Sequence, residues 1–399
     1  MCSSGAHPRT RIPAFLAALC ATLALGVPSS ASAVQLRGVD VHVQAGQIDN
    51  DPTLRDQEFA MLQAAGATSV RFDLIWATVE WNAKGQDDPN VLANIDSAFA
   101  QARAHGLKVI LDLWATPCWA SSAPPTMTHG CTYGWWENPV THYPPVNAQD
   151  YADMATFAVK RWGSDLAALE LWNEPNGGQF FTSPHPAFDY ARLLKAVYPA
   201  VKTVAPNLPV IISLGGTDTQ WLTWLYGYGV QGYYDGIAVH PYDQPTLSGL
   251  RAFHAFQLSH GDHTPLWVTE VGWSSSVSGL QGQASGVSSV LQQLAALPYV
   301  AAAEIYDMHD GGTDPNNAED HFGLFDYTLH PKPAWAAFYN TLHSLNEPPA
   351  VPAPARQPKH LAPNTTHHRH KHHKHNQNNH VHVPVSASQA MRYQQEKMS

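Results

Sequence analysis

The segment LELWNEPN (Leu169–Asn176) decides the fold, because it joins an apolar, strand-like run to a turn that carries polar side chains. A second segment, LWVTEVGW (Leu266–Trp273), repeats this arrangement, so that Glu174 and Glu270 each follow an apolar run. Eight such runs occur, at residues 36–43, 69–74, 108–113, 166–171, 209–213, 236–240, 266–270 and 301–308. Helix-like apolar spacing lies between and after them, at residues 57–65, 91–105, 148–162, 186–204, 220–226, 250–258, 279–296 and 334–345. Eight strand–helix units predict an α/β fold of the closed (β/α)8, or TIM-barrel, type.

An open, doubly wound sheet has the same local alternation and is the alternative. Dinucleotide-binding sheets of that kind carry a glycine-rich phosphate loop after the first strand. The first run here ends instead in VDVHV (Val39–Val43), which contains no glycine. This difference favours the barrel.

The predicted strand ends carry most of the polar and aromatic side chains that could bind a substrate or take part in catalysis. In a (β/α)8 barrel the active site lies at the carboxyl ends of the strands. The residues expected there are His42, Arg71, Asp73, Asp112, Trp114, Asn173, Glu174, His240, Tyr242, Glu270 and Tyr306 to His309. Two carboxyl groups among them, Glu174 and Glu270, can supply the proton and the attacking group that cleavage of a glycosidic bond requires.

Charge narrows the class of substrate. Residues 34–347 hold 13 Lys and Arg against 31 Asp and Glu, a net charge of -18, whereas residues 348–399 carry a net charge of +6. An acidic body argues against nucleic acid as a partner. A neutral poly- or oligosaccharide fits this charge better.

The turn after the fourth run resembles a known motif. Trp172-Asn173-Glu174-Pro175 is similar to the acid/base motif of clan A glycoside hydrolases, which closes the fourth barrel strand, while the nucleophilic glutamate closes the seventh. Glu174 follows run four and Glu270 closes run seven. The sequence FGLF (322–325) followed by PKPA (331–334) resembles the turn into the eighth helix in families 5 and 39. The resemblance covers roughly residues 36–345 and leaves the choice between the two families open.

The resemblance implies a retaining mechanism without a cofactor or metal. Glu174 would be the general acid/base and Glu270 the nucleophile. Arg71 would keep the nucleophile ionised, Tyr242 of the His-x-Tyr element would orient it, and His240 would support the acid/base. Asn173 would bind the sugar 2-hydroxyl. The further candidate sugar contacts are His42, Trp114, Trp172, Trp273, Tyr306 and His309.

Each of these interpretations has a plainer alternative. His240 could be a core histidine, and Arg71 could pair with Asp73 or Glu80. Tyr306 stands where many clan members have a tryptophan, which leaves the sugar in subsite -1 open. A catalytically silent carbohydrate-binding protein on the same barrel is the rival function.

Three segments are expected. Residues 1–33 have the basic, apolar and small-residue regions of a signal peptide, which predicts a secreted protein without a retained transmembrane span. Residues 34–346 would form the catalytic domain of a monomer. Residues 347–399 read as a proline-rich linker and a disordered histidine-rich tail, either a solvated tail or a contact with an anionic cell envelope.

Two cysteines, Cys118 and Cys131, remain after the signal peptide and predict a disulfide in an exported protein, with two free thiols as the alternative. They lie in a long third loop, residues 116–145. This loop could close one end of a cleft, for exo action, or lengthen it, for endo action. The sequence does not decide between the two.

Overall fold

The computed structural model describes residues 35–44, 48–131, 137–242 and 247–346. The strands are β1 (Leu36–Val41), β2 (Ser69–Ile75), β3 (Lys108–Trp114), β4 (Leu166–Leu171), β5 (Val210–Gly215), β6 (Gly236–His240), β7 (Leu266–Val271) and β8 (Val300–Ile305). Each strand pairs with the next in parallel, and β8 pairs with β1, so the sheet closes. The (β/α)8 barrel is confirmed, and the open sheet is wrong.

Helices surround the barrel. They are α1 (Pro52–Ala65), α2 (Trp76–Val79), α3 (Pro89–Ala104), α4 (Pro125–Thr128), α5 (Ala148–Trp162), α6 (Pro186–Val204), α7 (Thr219–Gly227), α8 (Ser248–Ser259), α9 (Ser275–Ala295) and α10 (Pro333–Asn346). The short α2 and α4 are single turns in the loops after β2 and β3. Helices α1 and α3 begin earlier than the apolar spacing predicts, because the carboxylates of Asp51 and Asp88 cap their first turns.

The barrel interior below the site is filled by an apolar layer. Its buried members are Ile110, Ala168, Ile211, Ala238, Trp267 and Ala302. Trp267 takes much of this space, and Gly236 leaves room for it, since a Cβ at residue 236 would lie 2.5 Å from the indole nitrogen. A larger apolar core packs the outer faces of the strands against the helices. The strands are therefore held on both faces, which fixes the positions of their carboxyl ends.

The ends of two strands differ from the prediction. Run one continues to Val43 and run eight to Met308 in the sequence, but β1 ends at Val41 and β8 at Ile305. The remaining residues leave the ladder, and His42 and Tyr306 among them lie at the rim of the site, whereas Val43 and Met308 are buried.

The disulfide between Cys118 and Cys131 is present, with the two Cα atoms 5.9 Å apart. In the part of the chain that the structure describes, none of the helices has the length and apolar content to cross a bilayer. The expected signal peptide (1–33) and the tail (347–399) lie outside the described residues.

Candidate active site

The two predicted catalytic glutamates lie close together at the carboxyl end of the barrel. Glu270 is the second-last residue of β7, and Glu174 lies three residues beyond the end of β4. Nδ1 of His240, at the end of β6, is 2.7 Å from Oε1 of Glu174 and 3.5 Å from Oε2 of Glu270. The nearest oxygen atoms of the two carboxyl groups are within 4.8 Å of each other. One reacting carbon can therefore reach both groups.

Arg71 lies beside Glu270 inside a cage of carboxylates. Its Nη1 atom is 2.9 Å from Oε1 of Glu270. The other carboxylate partners of the guanidinium are Asp40 at 3.2 Å, Asp112 at 2.9 Å and Glu170 at 2.8 Å. Burial opposes the charge, but these carboxylates, Glu170 foremost, hold the pKa of Arg71 well above its ordinary value. The alternative pairing of Arg71 with Asp73 or Glu80 is wrong.

Glu270 is positioned from both of its oxygen atoms. Oε1 accepts from Arg71, and Oε2 accepts from the Tyr242 hydroxyl at 2.9 Å. Burial raises the pKa of the Glu270 carboxyl, and the negative charge of Glu174 adds to this, whereas His240, Arg71 and the Tyr242 hydroxyl bond oppose it. The surrounding positive charge therefore counteracts the cost of burying an ionised nucleophile.

Asn173 and Glu174 are presented by an unusual backbone. Trp172 has a φ of 71° and Glu174 a φ of 43°, both in the left-handed region that non-glycine residues avoid. Backbone strain of this kind persists where the surrounding structure over-determines it. The Asn173 side-chain oxygen accepts from Nη2 of Arg71 at 3.2 Å, which links the two halves of the site.

Gly215, at the end of β5, packs against the side chain of Glu174. A Cβ at residue 215 would lie 2.9 Å from the carboxyl carbon of Glu174, so only glycine leaves the observed position free. Asn176 holds this contact in place, because its side-chain oxygen accepts from the Gly215 amide at 2.7 Å and its nitrogen donates to the Gly215 carbonyl at 2.8 Å. Sequence reasoning missed both Gly215 and Asn176.

His240 is fully buried, as the core alternative expects, but it is bonded to the site. Besides Glu174, its other ring nitrogen, Nε2, lies 3.1 Å from Oγ1 of Thr269. The surrounding carboxylates Glu270, Glu170 and Glu174 raise the pKa of His240 well above its ordinary value, although burial alone would lower it.

One side of the rim of the site is formed by His42, Tyr306 and their neighbours. The Tyr306 ring contacts His42, Tyr242 and Phe322 with edge-to-face geometry at centroid distances of 6.0, 6.3 and 5.5 Å. His42 lies between two carboxylates, 3.5 Å from Asp73 and 3.6 Å from Asp307. These residues lie where the sequence places them, and their contacts with sugar stay a prediction.

Of the three candidate tryptophans, Trp172 differs from the prediction, and sugar contacts of Trp114 and Trp273 stay a prediction. Trp172 is fully buried, packs against Tyr151 and Phe181, and donates to the Phe180 carbonyl, so it cannot stack on a sugar. Trp273 packs on α9, where a Cβ at Gly286 would lie 2.4 Å from its indole ring. Trp114 remains at the rim, 4% exposed, and its indole nitrogen donates to Asp73 at 3.3 Å.

His309 does not line the cleft. Its Nε2 atom is 2.5 Å from Glu58 of α1 and 3.5 Å from Asp49, and all three side chains are buried. This group and the group of Glu174, His240 and Glu270 are the sets of described residues whose donor atoms are near enough to share a metal ion. In the buried group, Arg55 already supplies a positive charge that interacts with Asp49 and Glu58. In the active-site group, Arg71 and Tyr242 occupy both Glu270 oxygen atoms.

The barrel and the paired glutamates on its fourth and seventh strands define the class: a clan A glycoside hydrolase. Residues 27–323 match the family model described as Cellulase (glycosyl hydrolase family 5). The chain belongs to glycosyl hydrolase family 5, which resolves the choice that the sequence motifs left open. No curated protein sequence matches the chain significantly.

Solved structures of glycoside hydrolases share the fold. A family 39 glycoside hydrolase from Bacteroides cellulosilyticus WH2 has 24% identity and a TM-score of 0.61, over 78% of this chain and 64% of that chain. A GH5_18 enzyme from Streptomyces cattleya in complex with Manb1-4GlcNAc has 18% identity and a TM-score of 0.59, over 80% and 82%. An exo-beta-1,4-mannosidase from Opitutaceae bacterium strain TAV5 has 15% identity and a TM-score of 0.59, over 78% and 59%. The chain thus spans less than two thirds of the first and third of these proteins.

Proposed function

We propose that this chain hydrolyses O-glycosidic bonds in a β-linked poly- or oligosaccharide by a retaining double displacement. The observation that carries the proposal is the distance of at most 4.8 Å between the nearest oxygen atoms of Glu174 and Glu270. Retaining glycosidases hold their two carboxyl groups about 5 Å apart, whereas inverting enzymes need ~6.5–9.5 Å to admit a water molecule. The short distance between Glu174 and Glu270 therefore supports the retaining mechanism.

The first step breaks the glycosidic bond. Oε1 or Oε2 of Glu270 attacks the anomeric carbon, and the electron pair of the breaking bond goes to the leaving oxygen. Glu174 gives its proton to that oxygen, so the aglycone departs as a neutral alcohol. A covalent glycosyl ester on Glu270 remains, and Glu174 is left as a carboxylate.

The second step reverses these roles. The Glu174 carboxylate takes a proton from water, whose oxygen attacks the same carbon, and the ester bond to Glu270 breaks. The product keeps its original β configuration, and both glutamates return to their starting protonation states. Charge development on Glu270 during both steps is balanced by Arg71 and by the Tyr242 hydroxyl, which are already bonded to it.

The substrate class rests on the charge of the body and on the rim. The acidic body favours a neutral sugar chain, and Tyr306, His42 and Trp114 supply polar and aromatic contacts. One structural neighbour is in complex with Manb1-4GlcNAc and another is an exo-beta-1,4-mannosidase. The first substrates to test are therefore β-1,4-mannosides, followed by β-glucans and β-xylans.

Secretion is part of the proposal. The signal-like residues 1–33 and a disulfide in the mature region both suit an exported protein. The histidine-rich tail would gain positive charge below about pH 6.5 and contact an anionic envelope. Comparing cell-envelope retention of the full chain with that of a chain truncated at 348, at pH 5.5 and 8, tests the contact; equal retention would contradict it.

The variants Glu174→Gln and Glu270→Gln separate an enzyme from a carbohydrate-binding protein. We expect both to lose at least about 10³-fold in kcat on unactivated glycosides, because each carboxyl takes part in bond breaking. The exposed Asp56→Asn, on the outer helix α1, is the control and should match the wild type. A binding protein would give no hydrolysis in any of the four proteins but would retain affinity for the sugar chain.

A further inference from the structure

A line of hydrogen bonds joins the predicted acid/base to a buried carboxylate that contacts no substrate. Oε1 of Glu170 accepts from Oγ1 of Thr269 at 3.1 Å, and the same Oγ1 is 3.1 Å from Nε2 of His240. Nδ1 of His240 is 2.7 Å from Oε1 of Glu174. Glu170, Thr269 and His240 are 0–1% exposed, so water does not compete for these positions.

The direction of each hydrogen bond follows from the charge of Glu170, at the start of this line. Glu170 accepts from Nε of Arg71 at 2.8 Å, and despite its burial, Arg71 and His240 lower the pKa of Glu170 to about 2. An ionised carboxylate can only accept. The single hydroxyl proton of Thr269 must therefore point to Glu170, which leaves the Thr269 oxygen as an acceptor for His240.

The protonation of Nε2 of His240 is then determined. Nε2 carries a proton, because it faces an oxygen that has already donated its own. One proton lies between Nδ1 and Oε1 of Glu174, which are 2.7 Å apart. It is on Nδ1 when the imidazole is charged, as the raised pKa of His240 favours, and on the Glu174 carboxyl when the imidazole is neutral. Without this proton, a carboxylate oxygen would face a nitrogen lone pair. The pair of Nδ1 and Oε1 therefore retains one proton between them.

We propose that Thr269 is a positioning residue that holds the Nε2 proton of His240 and so keeps a second proton between Nδ1 of His240 and Glu174, from which the leaving group is protonated. This inference rests on the proposed function, in which Glu174 is the acid/base. Thr269 acts through His240 and touches no reacting atom.

Other charged groups face the imidazole of His240 and also affect its pKa. Glu170 and Glu174 approach from the β4 side and Glu270 from β7, while Asp112 of β3 interacts with it more weakly. Removing the Thr269 hydroxyl leaves all of these charges in place. What changes is the acceptor at Nε2, since the nearest Glu170 oxygen is 3.7 Å away and too far for a good hydrogen bond.

The test compares Thr269→Val, which removes the hydroxyl, with Thr269→Ser, which keeps it. In T269V, His240 is free to carry its proton on Nδ1 and donate to an ionised Glu174. We expect the basic limb of the kcat/KM profile to move to lower pH by about one unit. T269S should keep the wild-type profile.

The leaving group gives a second readout. At the wild-type pH optimum, T269V should lose about tenfold in kcat/KM on an alkyl or disaccharide substrate, which needs a proton from Glu174. On a 2,4-dinitrophenyl glycoside, whose leaving group needs no proton, it should stay within about twofold of the wild type in the glycosylation step. An equal loss on both substrates would mean a general structural defect and would overturn the inference.

The protonation of His240 can also be observed directly, so that a loss of activity caused by an unstable variant is recognised. In full-length protein with 15N-labelled histidine, the His240 ring, assigned by its absence from H240N, should show a protonated Nε2 in the wild type and T269S. T269V should show a neutral ring with its proton on Nδ1, or a mixture, and an Nε2 protonated as in the wild type would overturn the inference. If Glu174→Gln loses activity but T269V keeps the wild-type pH profile, the role of Thr269 is wrong and the proposed function stands. Full activity in Glu174→Gln defeats the proposed function itself.

Discussion

Nη1 of Arg71 lies 2.9 Å from Oε1 of Glu270 and also donates to Asp40, while the rest of the guanidinium binds Asp112, Glu170 and Asn173. The arginine therefore does more than neutralise one nucleophile. It holds the ends of β1, β3, β4 and β7 in one arrangement around a planar, five-donor group. The distance between the two catalytic glutamates depends on this arrangement.

Arg71→Lys should inactivate the enzyme although it keeps the charge. A lysine ammonium has three donors at one point and cannot bind the same set of carboxylates. We expect kcat/KM to fall by about 10²–10³-fold, since a preorganised charge at the nucleophile is lost. The matched control is Arg161→Lys, at an exposed pair with Asp96. It should stay within about twofold of the wild type, and a comparable loss in both variants would contradict the role of the cage.

Gly215→Ala should displace the acid/base. The new methyl group would lie 2.9 Å from the Glu174 carboxyl carbon, so the carboxyl must move. A displacement near 1 Å in a catalytic group can cost about 10²-fold in rate. We expect kcat on an unactivated glycoside to fall by about this amount at nearly unchanged Tm. Gly178→Ala is the control, because a Cβ there meets nothing within 4 Å. Wild-type kcat in G215A would refute the argument.

Glu304 should make stability depend on pH. It is fully buried on β8 and bonded to the Ser69 hydroxyl, and burial raises its pKa from 4.5 to about 7. A raised carboxyl pKa means that the folded state binds the proton more tightly, so this contribution stabilises the fold at low pH and is lost as pH rises from about 4.5 to 7. Glu304→Gln stays neutral and should not show this loss.

The measurement is urea unfolding of wild type and Glu304→Gln at pH 5 and pH 8. The free energy of unfolding of the variant, relative to wild type, should increase by about 2–3 kcal/mol between the two pH values. Parallel pH dependence of the two proteins would show that the Glu304 carboxyl titrates normally.

The disulfide should stabilise the third loop and the fold that carries it. Closing a loop of 13 residues is worth ~3 kcal/mol in the chain-entropy model. Reductant should therefore lower the Tm of the wild type, while the double variant Cys118→Ser and Cys131→Ser should already have the lower Tm and be insensitive to reductant. A wild-type Tm unaffected by complete reduction would contradict this.

Much of the barrel could be predicted because its signals are local. Strand β6 and helices α5 and α6 have the bounds that apolar spacing predicts, and Glu174 and Glu270 were found from the apolar runs before them. The ends of β1 and β8 could not be found in this way, because the apolar runs continue into the rim after the ladder stops.

The site beyond the glutamates depends on contacts that no local pattern contains. Glu170 and Asp40 are charged residues inside apolar runs, which signals a buried partner, but the partner of both is Arg71, 99 residues from Glu170 and 31 from Asp40. Trp172 shows another limit. Its positive φ breaks the alternation of the strand, so the inward or outward direction counted along β4 does not extend to it.

The most direct test of the account is the anomeric configuration of the first product. Hydrolysis of a β-glycoside that the wild type cleaves should be followed by proton NMR from the first turnovers, before mutarotation. The spacing of Glu174 and Glu270 predicts that the β anomer appears first and the α anomer only later. An α anomer formed first would mean single displacement by water and would contradict the role of Glu270 as nucleophile.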